Sequence, residues 1–220
     1  ESAPRFDVTI VIEPSGDLLI TETIVQEFGS TERHGIFRNI PNRLRYDNEF
    51  DRVFPIVLIS VNASADTPDD VETKEENGNF VIRIGDPDTT ITGRHTYEIV
   101  YRVEGAMNGS DSHDELFWNA LGNEWEQSIG EMNVRVTAPA DVTRVACFEG
   151  TFGSTAECNQ AQITKKGDAV FSQSNLPAFE AMSVVVALPA GTVASTAPIL
   201  DERWSLDKAF SRTPVTIGGG

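Results

Sequence analysis

The sequence predicts an all-β protein, a β-sandwich of roughly twelve short, mostly antiparallel strands followed by a short C-terminal helical segment. Three observations predict it. Short apolar runs, many of them alternating, recur along the chain between clusters of Gly, Pro, Asn and Asp. No helical period longer than about two turns occurs before residue 199. The clearest strand, Thr96 to Glu104, is rich in β-branched and aromatic residues, which a pleated surface accommodates better than a helix.

Taken in order, residues 5–13 place Phe6, Val8, Ile10 and Ile12 on one face. Pro14-Ser15-Gly16-Asp17 is turn-forming by composition, and LLITETIVQEF continues with a period near two, so the chain opens on a hairpin. Residues 29–49 lose periodicity and cluster Arg33, Arg38, Arg43 and Arg45, with Ile36, Phe37 and Ile40 expected to tuck the segment onto the core. RVFPIVLISVNA reads as a strand with an edge or bulge at Pro55. Glu76-Asn77-Gly78-Asn79 joins two short strands, because Asn-Gly suits a two-residue hairpin turn. In the next strand Tyr97, Ile99, Tyr101 and Val103 share a face.

AMNGSDSHDE reads as an exposed loop, and LFWNALGNEWEQSIG as a short strand or a turn of helix broken at Gly122-Asn123. Met132, Val134 and Val136 align in a strand that ends before Pro139. Further short strands are expected in VTRVACFEG, AQITKKGDAVFSQ and AFEAMSVVVALPAG. MSVVVAL is continuously apolar enough to read as a central strand covered on both faces. The strands continue through Gly130 without a linker, so residues 5–193 are expected as one domain, with a second lobe from about 131 as the alternative. Residues 194–220 are expected as a linker and juxtamembrane-like segment, helical over ILDERWSLDKAFSRTP, with Leu200, Trp204 and Leu206–Phe210 on one stripe and Asp201 as cap.

The 220 residues suffice to bury a core, and Lys+Arg 17 against Asp+Glu 34 gives a net charge of −17. Such a surface repels phosphate backbones, which argues against nucleic acid as a partner. Cys147 and Cys158 enclose ten residues with two glycines. That spacing suits a loop closed by a disulfide, and hence an oxidising compartment; two free buried thiols are the alternative. The start at Glu1 reads as mature or trimmed.

Motifs for chemistry are sparse. There is no nucleophile elbow, phosphate loop or redox Cys-x-x-Cys, and no cofactor is implied. Asp111-Ser112-His113-Asp114-Glu115 concentrates ligating groups but lacks the spacing of a calcium loop, so no metal is expected. Trp118 and Trp125 suit stacking on a sugar or peptide, or filling a core. The candidate binding residues are therefore Asp111, His113, Asp114, Trp118, Trp125 and, for an anion or acidic partner, Arg38.

HGIFRNIP, IGDPDTTITGRHTYEIVYRVEGA, DELFWNALGNEWEQSI, NVRVTAPADV, the CFEG…C loop and MSVVVALPAG occur in this order. In them the chain resembles the N-terminal region of a bacterial family of predicted membrane proteins, domain of unknown function 2207, over about residues 5–193. The resemblance implies a β domain outside the membrane, anchored by transmembrane helices absent from this chain, with the Trp204 segment leading toward the first of them. It carries over no catalytic residue. Gly35 and Gly85 are expected to permit turns, Arg38 to ion-pair within the fold, and the two tryptophans to anchor their loop. The expected function is an extracytoplasmic module binding a protein or envelope ligand. One rival is an envelope-polymer hydrolase using Glu124 or Glu126 with Asp114, which needs two carboxyls roughly 5–10 Å apart. The other is an architectural spacer.

Overall fold

The computed structural model describes residues 1–203. In chain order the strands are β1 (Ser2–Ile12), β2 (Leu18–Glu27), β3 (Ile36–Pro41), β4 (Arg43–Arg45), β5 (Phe50–Val53), β6 (Ile56–Ala63), β7 (Val71–Glu76), β8 (Asn79–Ile84) and β9 (Arg94–Val103). They continue as β10 (Met107–Gly109), β11 (His113–Leu121), β12 (Ile129–Thr137), β13 (Arg144–Gly150), β14 (Ala156–Glu157), β15 (Gln160–Ile163), β16 (Ala169–Leu176), β17 (Ala181–Pro189) and β18 (Ile199–Glu202). The all-β class is as expected, and no helix occurs among the described residues.

The strands form four hydrogen-bonded sheets, where a single sandwich has two. A seven-stranded sheet has the order β15-β16-β12-β1-β2-β9-β6, and a five-stranded sheet the order β10-β11-β17-β13-β14. Two three-stranded sheets, β3-β8-β7 and β18-β5-β4, complete the fold. The parallel pairing of β1 with β12 puts the first strand at the centre of the large sheet, so chain from both sides of residue 131 shares it. Alternation drives burial: Phe6, Val8, Ile10 and Ile12 of β1 and Tyr97, Ile99, Tyr101 and Val103 of β9 all enter one hydrophobic cluster. Buried residues of the five-stranded sheet and of β3 and β8 join the same cluster.

Several local expectations match. Asn77 and Gly78 both have positive φ, 52° and 79°, as a two-residue hairpin turn demands. Pro55 separates β5 from β6, and β6 is an edge strand with an irregularity between Leu58 and Ser60. β17 is the middle strand of its sheet, although Ser183 and Val185 leave its second face only half covered. Cys147 and Cys158 are disulfide-bonded.

Other expectations are corrected. The loop at Asp111 is shorter than read, because Met107–Gly109 pairs with Asp114–Leu116 as a hairpin. The aperiodic Arg-rich segment contains two strands, β3 and β4. The C-terminal helical segment does not begin as expected: Ile199–Glu202 is an edge strand on β5, and the Asp201 expected as a cap is ion-paired to Arg43 at 2.6 Å. Backbone pairing satisfies more of that segment's polar groups than an isolated helical turn would. The remainder of the expected helix, from Trp204, lies outside the described residues.

Candidate functional site

The β3-β8-β7 sheet positions the site because its two faces differ. Ile36, Arg38 and Ile40 of β3 and Phe80, Ile82 and Ile84 of β8 are buried, most of them in the core. The alternate residues form the other face, where register sets Phe37 beside Arg83, Asn39 beside Val81 and Pro41 beside Asn79. On the far side β7 adds Glu72, Lys74 and Glu76 opposite Arg83, Val81 and Asn79. This outer face is the floor of an open cleft of about 830 Å³, within the range of small-ligand sites. Glu1, Arg33 and His34 wall one part and the Glu124–Gln127 segment between β11 and β12 walls another.

The wall is fixed to the floor by one carboxylate. Asn39 Nδ2 donates to Glu124 Oε2 at 2.9 Å, and Asn79 Nδ2 donates to Glu124 Oε1 at 3.0 Å. Trp125 packs edge-on against Phe6 with ring centroids 5.5 Å apart, which anchors the segment in the core. Its indole Nε1 is buried without a hydrogen-bond partner, as is Arg83 Nε. Phe37, expected on the core with Ile36 and Ile40, instead faces outward because it alternates with them in β3, and its ring is 61% exposed on the cleft floor. Gly35 and Gly85 let the backbones at one end meet: a Cβ on Gly35 would stand 1.9 Å from the Ile84 carbonyl oxygen, and one on Gly85 1.8 Å from that of His34. Their role is thus close approach as well as the expected turn.

Most charges in the cleft are already paired. Arg33 bonds Glu1 at 2.6 Å, Lys74 bonds Glu76 at 2.6 Å, and Arg83 bonds Glu72 at 3.1 Å. The hydrogen bond from Arg33 holds the Glu1 carboxyl below its usual value.

Beneath the floor lies a buried polar cluster. Arg38, 1% exposed, donates through Nε and Nη2 to both oxygens of Glu22, 0% exposed, at 2.7 and 2.8 Å. Tyr101 Oη donates to Glu22 Oε1 at 2.6 Å, and Arg38 Nη2 also donates to the Ala120 carbonyl at 3.0 Å. Burial pulls the Arg38 pKa down, but the Glu22 charge and hydrogen bonds outweigh it and leave it raised. Burial and the Glu22 charge both push the Tyr101 hydroxyl well up. The cluster joins the large sheet (Glu22, Tyr101), the small sheet (Arg38) and the five-stranded sheet (Ala120).

The six residues expected to bind do not converge. Trp125 alone lines the cleft. Arg38 is spent on Glu22, as its expected ion pairing within the fold requires, and is closed to a ligand. Trp118 is buried edge-on against Phe54 and backs only a dimple of about 10 Å³. Asp114 is buried and accepts from the backbone N–H groups of Gly191 and Val193, so it ties down the chain after β17. It stands at the far end of β11 from the cleft; the seven residues to Leu121 span roughly 23 Å of extended strand, so it forms no catalytic pair with Glu124 or Glu126. Asp111 and His113 sit at the β10–β11 turn, where His113 Nδ1 is 2.8 Å from Ser112 Oγ and Nε2 is 3.6 Å from a Glu115 oxygen. None of these three lines the cleft. Among the described residues no three His, Cys, Asp or Glu side chains group closely enough to hold a metal ion.

Phe37, Asn39, Asn79 and Arg83 are the site residues that sequence reasoning missed. The signal was present as the alternation in IFRNIP, obscured because its central inward residue is the charged Arg38.

Fold and site define an all-β, disulfide-bonded domain with one face of a small sheet left open as a cleft. The chain belongs to the family described as the N-terminal domain of predicted membrane protein (DUF2207), which it matches over residues 2–188. No curated protein matches the chain. Among solved structures, yeast LTA4 hydrolase in complex with bestatin is similar, with a TM-score of 0.51 at 11% identity over 84% of this chain and 28% of that one. Native yeast LTA4 hydrolase gives a TM-score of 0.50 at 10% identity, again over 84% and 28% of the two chains. An M1 zinc metallopeptidase from Deinococcus radiodurans gives 0.45 at 10% identity, over 83% and 41%. The chain thus spans well under half of these proteins, and the likeness is one of fold alone.

Proposed function

We propose that this chain is the ligand-binding, extracytoplasmic module of a membrane-anchored protein, held to the membrane by segments outside these residues. Membership of a membrane-protein family supports the anchoring. The Cys147–Cys158 disulfide supports the placement, since such bonds persist in oxidising compartments. The observation that carries the binding role is the cleft of about 830 Å³, in which Phe37 and the doubly anchored Glu124 present an apolar face and a fixed acceptor.

Ligand-observed NMR with a library of small polar fragments tests this reading. Fragments that bind the wild-type chain are expected to lose binding when Phe37→Ala and Glu124→Gln are combined. A hit set indifferent to that double substitution moves the binding site elsewhere and defeats the proposal.

A further inference from the structure

Resting on that reading of the cleft, we propose that its ligand class is a neutral, polyhydroxylated molecule, a stretch of oligosaccharide. Charge gives the first argument. Arg33, Lys74 and Arg83 each already hold a carboxylate, that of Glu1, Glu76 or Glu72. An anionic ligand would have to displace one of these internal pairs to gain its own, whereas a neutral ligand leaves them intact.

Hydrogen-bonding capacity gives the second. Glu124 is fixed by one amide on each oxygen, and each oxygen keeps further acceptor capacity. The side-chain Oδ1 atoms of Asn39 and Asn79 are acceptors beside it. Donors stand in the same cleft: the Lys74 ammonium and the Arg83 guanidinium carry more N–H groups than their pairs with Glu76 and Glu72 engage. Acceptors and donors side by side are what a row of hydroxyls satisfies, because each hydroxyl is both.

The third argument is the floor. Phe37 offers an open ring next to these polar groups. A pyranose has one polar edge and a C–H-rich face, so its face can lie on Phe37 while its edge reaches Glu124. The ring adds apolar contact without adding charge.

The test is a titration of the 220-residue chain, followed by amide NMR, with chitotetraose, maltotetraose and cellotetraose. The tripeptide Ala-Ala-Ala and inorganic phosphate serve as controls. At least one tetrasaccharide is expected to shift the amides of Phe37, Asn39 and Asn79 and the indole N–H of Trp125. Phe37→Ala and Glu124→Gln are each expected to weaken that binding about tenfold, with spectra unchanged outside the cleft. If the tripeptide or phosphate moves the cleft and no sugar does, the ligand class is wrong while the cleft remains a binding site. Sugar binding unaffected by either substitution, or no response to any tetrasaccharide, also overturns the inference.

Discussion

Replacing Arg38 with methionine tests whether the cluster beneath the cleft holds the sheets together. The substitution roughly preserves the aliphatic volume but removes the guanidinium. Glu22 then loses donors at 2.7 and 2.8 Å and keeps only the Tyr101 hydroxyl, while staying fully buried. The Ala120 and Asn39 carbonyls lose a donor as well. Removing one partner of a buried ion pair costs about 3–5 kcal/mol, because the other charge is left uncompensated. Adding Glu22→Gln removes that stranded charge, so the double variant should be more stable than Arg38→Met alone by about 2 kcal/mol. Urea unfolding followed by circular dichroism gives both numbers. A loss under about 1 kcal/mol for Arg38→Met, or strict additivity in the double variant, would refute the assignment of the cluster as a buried pair joining three sheets.

Further outcomes follow from three single features. Removing the disulfide by Cys147→Ala with Cys158→Ala frees a loop of sequence separation 11, which chain entropy values at about 2.8 kcal/mol; an unchanged unfolding midpoint would count against that. In cells, both thiols of the membrane-anchored protein should resist maleimide until reduced, and ready labelling without reductant would count against an extracytoplasmic location. Tyr97 has a buried hydroxyl without a partner, and burial pushes its pKa up to about 12 from 10.0. Its protonated form therefore favours the fold below pH 10.0, and stability is lost as pH rises from there to about 12. Tyr97→Phe should be neutral or stabilising by about 1 kcal/mol at pH 7 and should flatten the alkaline limb; a loss of stability at pH 7 would reveal a partner for the hydroxyl. Gly35→Ala should cost several kcal/mol or block folding, since its φ is 138° and the new Cβ would meet the Ile84 carbonyl; expression at wild-type stability would contradict the close approach.

Legibility in the sequence followed the mechanism that formed each element. The β1–β2 hairpin, β9 and the Asn77-Gly78 turn were readable because local alternation and turn chemistry decide them. β3 was not, because its inward position is Arg38, a charge that makes sense only once Glu22 stands opposite. β18 was misread as helix because Leu200 and its neighbours have suitable spacing, whereas pairing with β5, distant in sequence, decides its conformation. The cleft was the least legible part. Asn39, Asn79 and Glu124 belong to three segments that meet only through sheet packing, and no spacing rule connects them. The acidic turn at Asp111 drew attention by composition alone, and the fold places it away from the cleft.

The central claim is that the open face of the β3-β8-β7 sheet is the binding site. Soaking crystals of the chain with a polar fragment library tests it most directly. The account predicts that bound fragments cluster between Phe37 and Glu124, with polar atoms in hydrogen-bonding range of Glu124. Fragments gathered instead at the β10–β11 turn around His113, or in the dimple beside Trp118, with the cleft empty, would contradict it.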